Sequence, residues 1–88
     1  MKIKQSNIVE YTIDNAPLYD RYPTRPYYKT ILKQLIHKDI ADQKVPSTAI
    51  IEDIDESGLS QIYDKTLDDI LVSGSILVTF VTYEDYLF

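Results

Sequence analysis

The chain has no cysteine and no tryptophan, and it has only two glycines and one histidine among its 88 residues. Without cysteine it forms no disulfide and offers no thiolate, which excludes disulfide-stapled secreted scaffolds and thiol enzymes. One histidine and no cysteine are too few ligands for a typical zinc site. Two glycines do not suffice for a glycine-rich phosphate loop. We therefore expect no cofactor, no metal site and no enzymatic activity.

Long apolar runs are also missing. The strongest run, Ile76–Val81, is far shorter than the roughly 20 residues of a membrane span. The first residues lack the apolar stretch of a secretory signal peptide. These absences predict a cytoplasmic protein that does not enter membranes. The chain length and the 44% apolar composition predict a single domain over residues 1–88 with a thin core.

The chain does have an uneven distribution of charge. Residues 1–44 carry eight Lys and Arg against five Asp and Glu, whereas residues 45–88 carry only Lys65 against nine Asp and Glu. The net charge of −5 disfavours direct binding to nucleic acid, because nucleic-acid-binding domains are usually basic. It favours contact with a basic surface on a larger protein.

Hydrophobic spacing predicts an α+β fold in the order β-α-β-α-β, with a small single-layer sheet of about three strands that carries two helices. Ile8–Ile13 alternates apolar and polar residues, as a half-buried strand does. Apolar residues between about positions 25 and 38 recur at helical spacing. Asp39 falls within that apolar stripe, so we expect the helix to end near it, where a carboxylate would otherwise be buried.

The second half is predicted to form a strand, a helix and another strand. Thr48–Ile54 and Ser75–Tyr83 are rich in apolar β-branched residues, and the latter is apolar on both faces, which is typical of a central strand. Between them, Ser57 is a candidate helix N-cap, and the two glycines, Gly58 and Gly74, stand at the expected helix ends. The apolar stripe of this second helix would comprise Leu59, Ile62, Tyr63, Leu67 and Ile70.

The acidic residues of this region are the first candidate binding site. Lys65 is their single basic neighbour, whereas a solvated helix face usually mixes both signs more evenly. Solvated surface charge is the alternative interpretation. We expect them to form one negative ridge that docks on a basic, nucleic-acid-binding site of a larger protein, as an inhibitor would. The ridge comprises Glu52, Asp53, Asp55, Glu56, Asp64, Asp68 and Asp69.

A second candidate surface combines tyrosine and arginine, two residue types that are enriched in binding hot spots. It comprises Tyr19, Arg21, Tyr22, Arg25 and Tyr27. Rings that shield a thin core are the alternative explanation. Arg25, Lys29 and Lys33 also lie one helical turn apart, so copies could pack positive helix against negative helix. The alternative function is therefore a self-assembling subunit of a virion or another ordered array, that is, a homo-oligomer.

Asp53–Gly58 resembles the start of an EF-hand calcium loop, with oxygen ligands at its first, third and fifth positions and glycine at its sixth. Asp64 stands where that family has a glutamate. The resemblance ends there, because Ser60 stands where the family has a large apolar residue and no helix is expected before the segment. An acid-rich turn from a strand into a helix is therefore the favoured interpretation. The cysteine-free, acidic, tyrosine-rich composition resembles that of small phage and plasmid proteins, which would act in a host cytoplasm, but no motif identifies a family.

Overall fold

The computed structural model describes residues 2–18 and 27–85. The elements are β1 (Lys2–Pro17), α1 (Tyr27–Ala41), β2 (Ile50–Asp64) and β3 (Asp69–Asp85). The strands form one antiparallel sheet in the order β1-β3-β2, so β3 is central and β1 and β2 are edge strands. We call the side of the sheet that α1 covers the helix side, where Ile76, Val78 and Phe80 lie, and the opposite side, where Leu77 and Thr79 lie, the open side.

The predicted order β-α-β-α-β with two helices is wrong. The described ranges contain one helix and a three-stranded antiparallel sheet. The segment predicted as the second helix is the end of β2, a turn over residues 65–68 and the start of β3. Its apolar spacing fits a helix, yet Ile62 and Tyr63 are 61% and 56% exposed, so no helical stripe is buried there. Backbone pairing with β3 overrides the local pattern.

The two glycines were predicted at helix ends, but both lie where two strands pack closely. Gly58 lies in β2 and Gly74 in β3, where Gly74 has a φ angle of 131°. A Cβ atom on Gly74 would lie 2.1 Å from the carbonyl oxygen of Gly58, and a Cβ atom on Gly58 would lie 2.7 Å from the carbonyl oxygen of Ser75. The two backbones thus approach too closely for side chains, which is a usual reason for glycine inside a strand.

The other predicted elements are present with longer bounds. Ile8–Ile13 lies within β1, where Tyr11 and Ile13 are buried. β3 is central, as its two-sided apolar pattern predicts. α1 continues past Asp39 to Ala41, because the hydroxyl of Tyr11 donates a hydrogen bond of 2.9 Å to Asp39 Oδ2. That bond offsets the cost of placing a carboxylate beside the apolar stripe.

The core lies between α1 and the helix side of the sheet. Tyr28, Leu32 and Ile36 are the buried residues of α1. They pack against buried side chains of β1, β3 and the segment after α1, namely Tyr11, Ile13, Ala16, Val45, Val72, Ile76, Val78 and Phe80. None of the buried side chains in the described ranges is charged. β2 contributes no fully buried residue, and Leu59 is the β2 side chain that packs, half-buried, against the core.

The molecule is elongated. It measures 63 × 22 × 22 Å with a radius of gyration of 16.2 Å, whereas a compact domain of this length has about 12 Å. Its accessible surface is 6696 Å², against about 5300 Å² for a compact monomer of this mass. The elongated shape accounts for the excess surface. No helix in residues 2–18 and 27–85 is long and apolar enough to cross a membrane.

Candidate protein-binding surfaces

The predicted acidic residues fall into two groups that lie far apart. Asp55 and Asp64 are nine residues apart on extended β2, which corresponds to about 30 Å. The first group lies in the first half of β2 and comprises Glu52, Asp53, Asp55 and Glu56. The second group lies at the turn between β2 and β3 and comprises Asp64, Asp68 and Asp69. Extended β2 backbone over residues 57–63 lies between the two groups.

The second group has a local role in the turn. Asp64 Oδ1 accepts the backbone N–H groups of Thr66 and Leu67 at 2.8 and 3.1 Å. Asp69 Oδ1 accepts the N–H of Ile70 at 2.8 Å. Asp68, which has a φ angle of 50°, accepts a hydrogen bond from the hydroxyl of Tyr63. Aspartate is favoured in turns for such bonds, so turn formation accounts for these three residues without a partner.

Most of the first group points to the open side of the sheet. Directly paired residues of an antiparallel ladder share a side. Asp53 pairs with Thr79 and Asp55 pairs with Leu77, and both partners are open-side residues of β3. Glu52 belongs to the same side, because its carboxylate forms an ion pair with Lys4 of β1 that reaches across β3.

Glu10 of β1 is a fourth open-side carboxylate and was not predicted as part of the site. It pairs with Leu77 from the other edge of β3, so it lies about 10 Å from Asp55 across two strand spacings. Its place on the polar face of an alternating strand was visible in the sequence, but its neighbours on other strands were not. We call Glu10, Glu52, Asp53 and Asp55 the acidic patch.

Apolar side chains lie beside the acidic patch. Ile8 and Ile50 are 63% and 59% exposed, and Leu77 is 37% exposed. Val81 is 3% exposed and lies in a small hollow with Ile50, Glu52 and Tyr83. Ile8 and Ile50 lie on the two edge strands and Leu77 on the central strand, so apolar and acidic side chains are interspersed across the open side.

The acidic patch stays strongly negative. Lys4–Glu52 is the ion pair that the structure shows in the described parts of the chain, and the hydrogen bond to Glu52 raises the pKa of Lys4. Asp55 accepts the backbone N–H of Ser57 at 2.9 Å, and hydrogen bonding to Ser57 lowers the pKa of Asp55. Glu10, Asp53 and Asp55 therefore keep charges that no described lysine or arginine neutralises.

Glu56, the last residue of the first group, lies instead on the helix side. The hydroxyl of Tyr28 donates a hydrogen bond of 2.9 Å to Glu56 Oε2 and so connects α1 to β2. Burial, together with this hydrogen bond, raises the pKa of Tyr28 to about 12. Glu56 thus fastens the helix to the edge strand.

A groove on the helix side separates α1 from β2. Its volume is about 550 Å³, and its floor is aliphatic, with Leu32 and Ile36 from α1 and Ile51 and Ile54 from β2. The wall along α1 is basic and the groove reaches Glu56. The polar residues that line it are Lys29, Lys33, His37 and Glu56. Sequence reasoning noted the two lysines, but the groove itself depends on where β2 joins the sheet.

The other predicted sites are the surface of tyrosine and arginine residues and the calcium-like segment. Tyr19, Arg21, Tyr22 and Arg25 lie outside the described residues, and Tyr27 is the first residue of α1, packed half-buried against the core. The calcium-like segment lies in extended β2, so it does not form a loop around an ion. Residues 2–18 and 27–85 contain no group of three or more His, Cys, Asp or Glu that could hold a metal.

No protein-family model matches the chain. No curated protein matches it, and no solved structure matches it. The acidic patch and the groove are therefore the features that point to a function.

Proposed function

We propose that the protein is a non-enzymatic binding module whose open side docks on a basic surface of a larger protein. The acidic patch supports this most directly. Asp55 and Glu10 approach Leu77 from its two neighbouring strands, and neither has an ion-pair partner within the described ranges. The two carboxylates beside Leu77 would select a basic partner surface. Burial of the exposed part of Leu77 in the interface would add to the binding free energy.

The size of the open side also supports a protein partner. Three strands of about 15 residues give a surface of about 14 Å by 50 Å, or about 700 Å². Each partner in a standard protein interface buries about 800 Å². The open side of a sheet has no deep cleft, whereas small ligands are usually held in concave pockets.

The partner surface in this proposal is one that otherwise binds phosphate groups. A protein that presents carboxylates to such a surface competes with nucleic acid and acts as an inhibitor. Opposite charge accelerates the encounter, and dissolved salt screens it. The association rate should therefore fall as the salt concentration rises, while dissociation changes less.

The experiment is a titration with an oligolysine peptide, followed by NMR of the backbone amides. We expect the largest shifts near Leu77 and Thr79. Asp53→Lys should weaken binding about tenfold, since close charge pairs at interfaces are worth 1.5 kcal/mol or more. Asp42→Lys is the matched control, because Asp42 is exposed in the turn after α1, and it should weaken binding less than about twofold.

Equal weakening by both variants would mean that only net charge matters, which contradicts a specific patch. Shifts centred on residues 65–68 would move the site to the turn. For the natural partner, capture from a lysate should succeed at low salt, fail at high salt and fail with Asp53→Lys. Captured partners that show no competition with nucleic acid would rule out the inhibitor mechanism.

Self-assembly is the second candidate, because the outer edges of β1 and β2 pair with no strand in the described parts. Pairing of β2 with β2 of another copy about Ile54 would, however, place Asp53 opposite Asp55, and like charges directly opposite are destabilising. Light scattering at high protein concentration and low salt distinguishes the candidates. A monomer under those conditions excludes assembly, whereas large particles favour it.

A further inference from the structure

We infer that the groove between α1 and β2 is a second docking site, which takes an acidic amphipathic helix of a partner protein. The groove lies on the helix side of the sheet and the acidic patch lies on the open side, so the two sites do not overlap. The inference therefore goes beyond the proposed function, and each can fail without the other.

The width of the uncovered sheet matches one helix. Within the described residues α1 packs mainly against β1, and β2 lies two strands away from β1. Two strand spacings are about 9.6 Å, and packed helices lie 8–10 Å apart. A helix centred above β2 would therefore lie at a normal packing distance from α1.

The floor of the groove suits the apolar face of such a helix. Ile51 and Ile54 are each 43% exposed, although they lie on the same side of the sheet as the core. The α1 residues that line the groove run from Lys29 to His37, a distance of about 12 Å. A partner helix with apolar residues at positions i, i+3, i+4 and i+7 spans nearly the same length, about 10.5 Å.

Charge determines the kind of helix. Lys29, Lys33 and His37 lie one turn apart on α1, line the groove and are exposed. Lys29 and Lys33 make this wall of the groove positive on a chain whose net charge is −5. The carboxylate of the lining, Glu56, accepts the hydrogen bond of the Tyr28 hydroxyl. Acidic residues that flank the apolar face of a partner helix would meet the positive wall, as they do between the helices of a coiled coil.

A second copy of the chain is a poorer occupant. Its α1 in the groove would bring the lysines of the two copies together, at Lys29 and Lys33. Pairing of the β2 strands of two copies along their outer edges would place Asp53 of one copy opposite Asp55 of the other, as described above. Like charges at these positions oppose both arrangements, so the structure favours a different protein.

The test uses a designed amphipathic peptide with leucine at helical positions i, i+3, i+4 and i+7, flanked by glutamate. A second peptide with lysine in place of each glutamate is the control. Fluorescence anisotropy measures binding to the full chain. We expect the acidic peptide to bind at least tenfold more tightly than the basic one and to shift the amide signals of Ile51 and Ile54.

Two variants of α1 form a matched pair. Lys33→Glu should weaken binding of the acidic peptide about tenfold. Lys38→Glu should change it less than about twofold, because Lys38 is exposed on the same helix but does not line the groove. Equal helical circular dichroism in both variants confirms that each is folded. Asp53→Lys should leave peptide binding unchanged within about twofold, which separates this site from the acidic patch.

Several results would overturn the inference. One is no binding of the acidic peptide at millimolar concentration. Another is equal weakening by Lys33→Glu and Lys38→Glu, and a third is a set of amide shifts on the open side. If the chain alone forms a dimer that Lys33→Glu abolishes, the groove belongs to a second copy and the proposed partner is wrong.

Discussion

The two sides of the sheet use the same strands for different purposes. On the helix side of β3, Ile76 and Val78 are completely buried and Phe80 is 4% exposed. On the open side, the intervening Leu77 contacts solvent and lies between two carboxylates. Alternation along β3 thus places the core on one side and the proposed binding surface on the other. Substitutions of the exposed open-side residues, unlike the buried Val81, should consequently have little effect on folding.

The largest contrast is expected between adjacent residues of β3. Ile76→Ala should lower the free energy of unfolding by about 3–4 kcal/mol, because it leaves a cavity in the core. Leu77→Ala should cost less than about 1 kcal/mol. Urea unfolding followed by circular dichroism measures both. If Ile76→Ala does not fold, Ile76→Val should still cost about 1 kcal/mol, and similar losses at the two positions would contradict the division between the sides.

The next effect concerns the close contact between β2 and β3. Gly74→Ala should cost about 2 kcal/mol or more, because the φ angle of Gly74 is unfavourable for other residues and its new Cβ would collide with the Gly58 carbonyl oxygen. Ser75→Ala, at the next position, should cost less than about 1 kcal/mol. Thermal unfolding of both variants makes the comparison. A neutral Gly74→Ala would show that the strands can separate there without loss.

Alkaline pH should weaken the attachment of α1 to the sheet. Burial raises the pKa of Tyr11 and Tyr28 above the usual value, and the hydrogen bonds to Asp39 and Glu56 raise it further. The folded state therefore holds these protons more tightly than the unfolded state, whose tyrosines titrate near about pH 10. The contribution of these two tyrosines to stability should be fully present below about pH 10 and fall as the pH rises toward 12.

Urea unfolding as a function of pH tests this expectation. Tyr28→Phe removes one of the two titrating groups, so the fall in stability above about pH 10 should be shallower in that variant. The same slope in the wild type and in Tyr28→Phe would contradict a role for the Tyr28 hydroxyl in holding the helix.

The smallest effect is expected on the open side. The side chains of Lys4 and Glu52 are 47% and 45% exposed, and ion pairs of this kind contribute between about 0 and 1 kcal/mol. Glu52→Gln should therefore change the free energy of unfolding by less than about 1 kcal/mol, and added salt should reduce the difference further. A larger loss would mean that the open side also carries stability.

Alternation in β1 and the two-sided apolar pattern of β3 predicted those strands, because a period of two reports directly on the two sides of a sheet. The region 57–73 was misassigned for a physical reason. Most of β2 is exposed on both sides, so no burial enforces a period of two, and its apolar residues also fit helical spacing. The aspartates at 64 and 68 make the turn without the glycine that usually signals one.

The candidate site was predictable only in part. Asp53 and Asp55 were predicted as site residues because acidic residues are closely spaced around them in the sequence. Their position near Glu10 depends on the register of β2 against β3. That register shifts between Ile51 and Asp53 and again between Asp55 and Gly58. Short-range sequence patterns do not report such shifts. The groove arises from the pairing of β2 beside β3, a long-range event that the residues of α1 alone do not indicate.

The unpaired outer edge of β2 has a further consequence. A long exposed edge is a template for uncontrolled stacking of chains, and charged side chains are a common protection against it. The carboxylates between Glu52 and Glu56 provide this protection here. In acid, where carboxylates lose their charge, this edge should lose that protection, and the lysines and arginines of the chain then supply the charge that keeps copies apart.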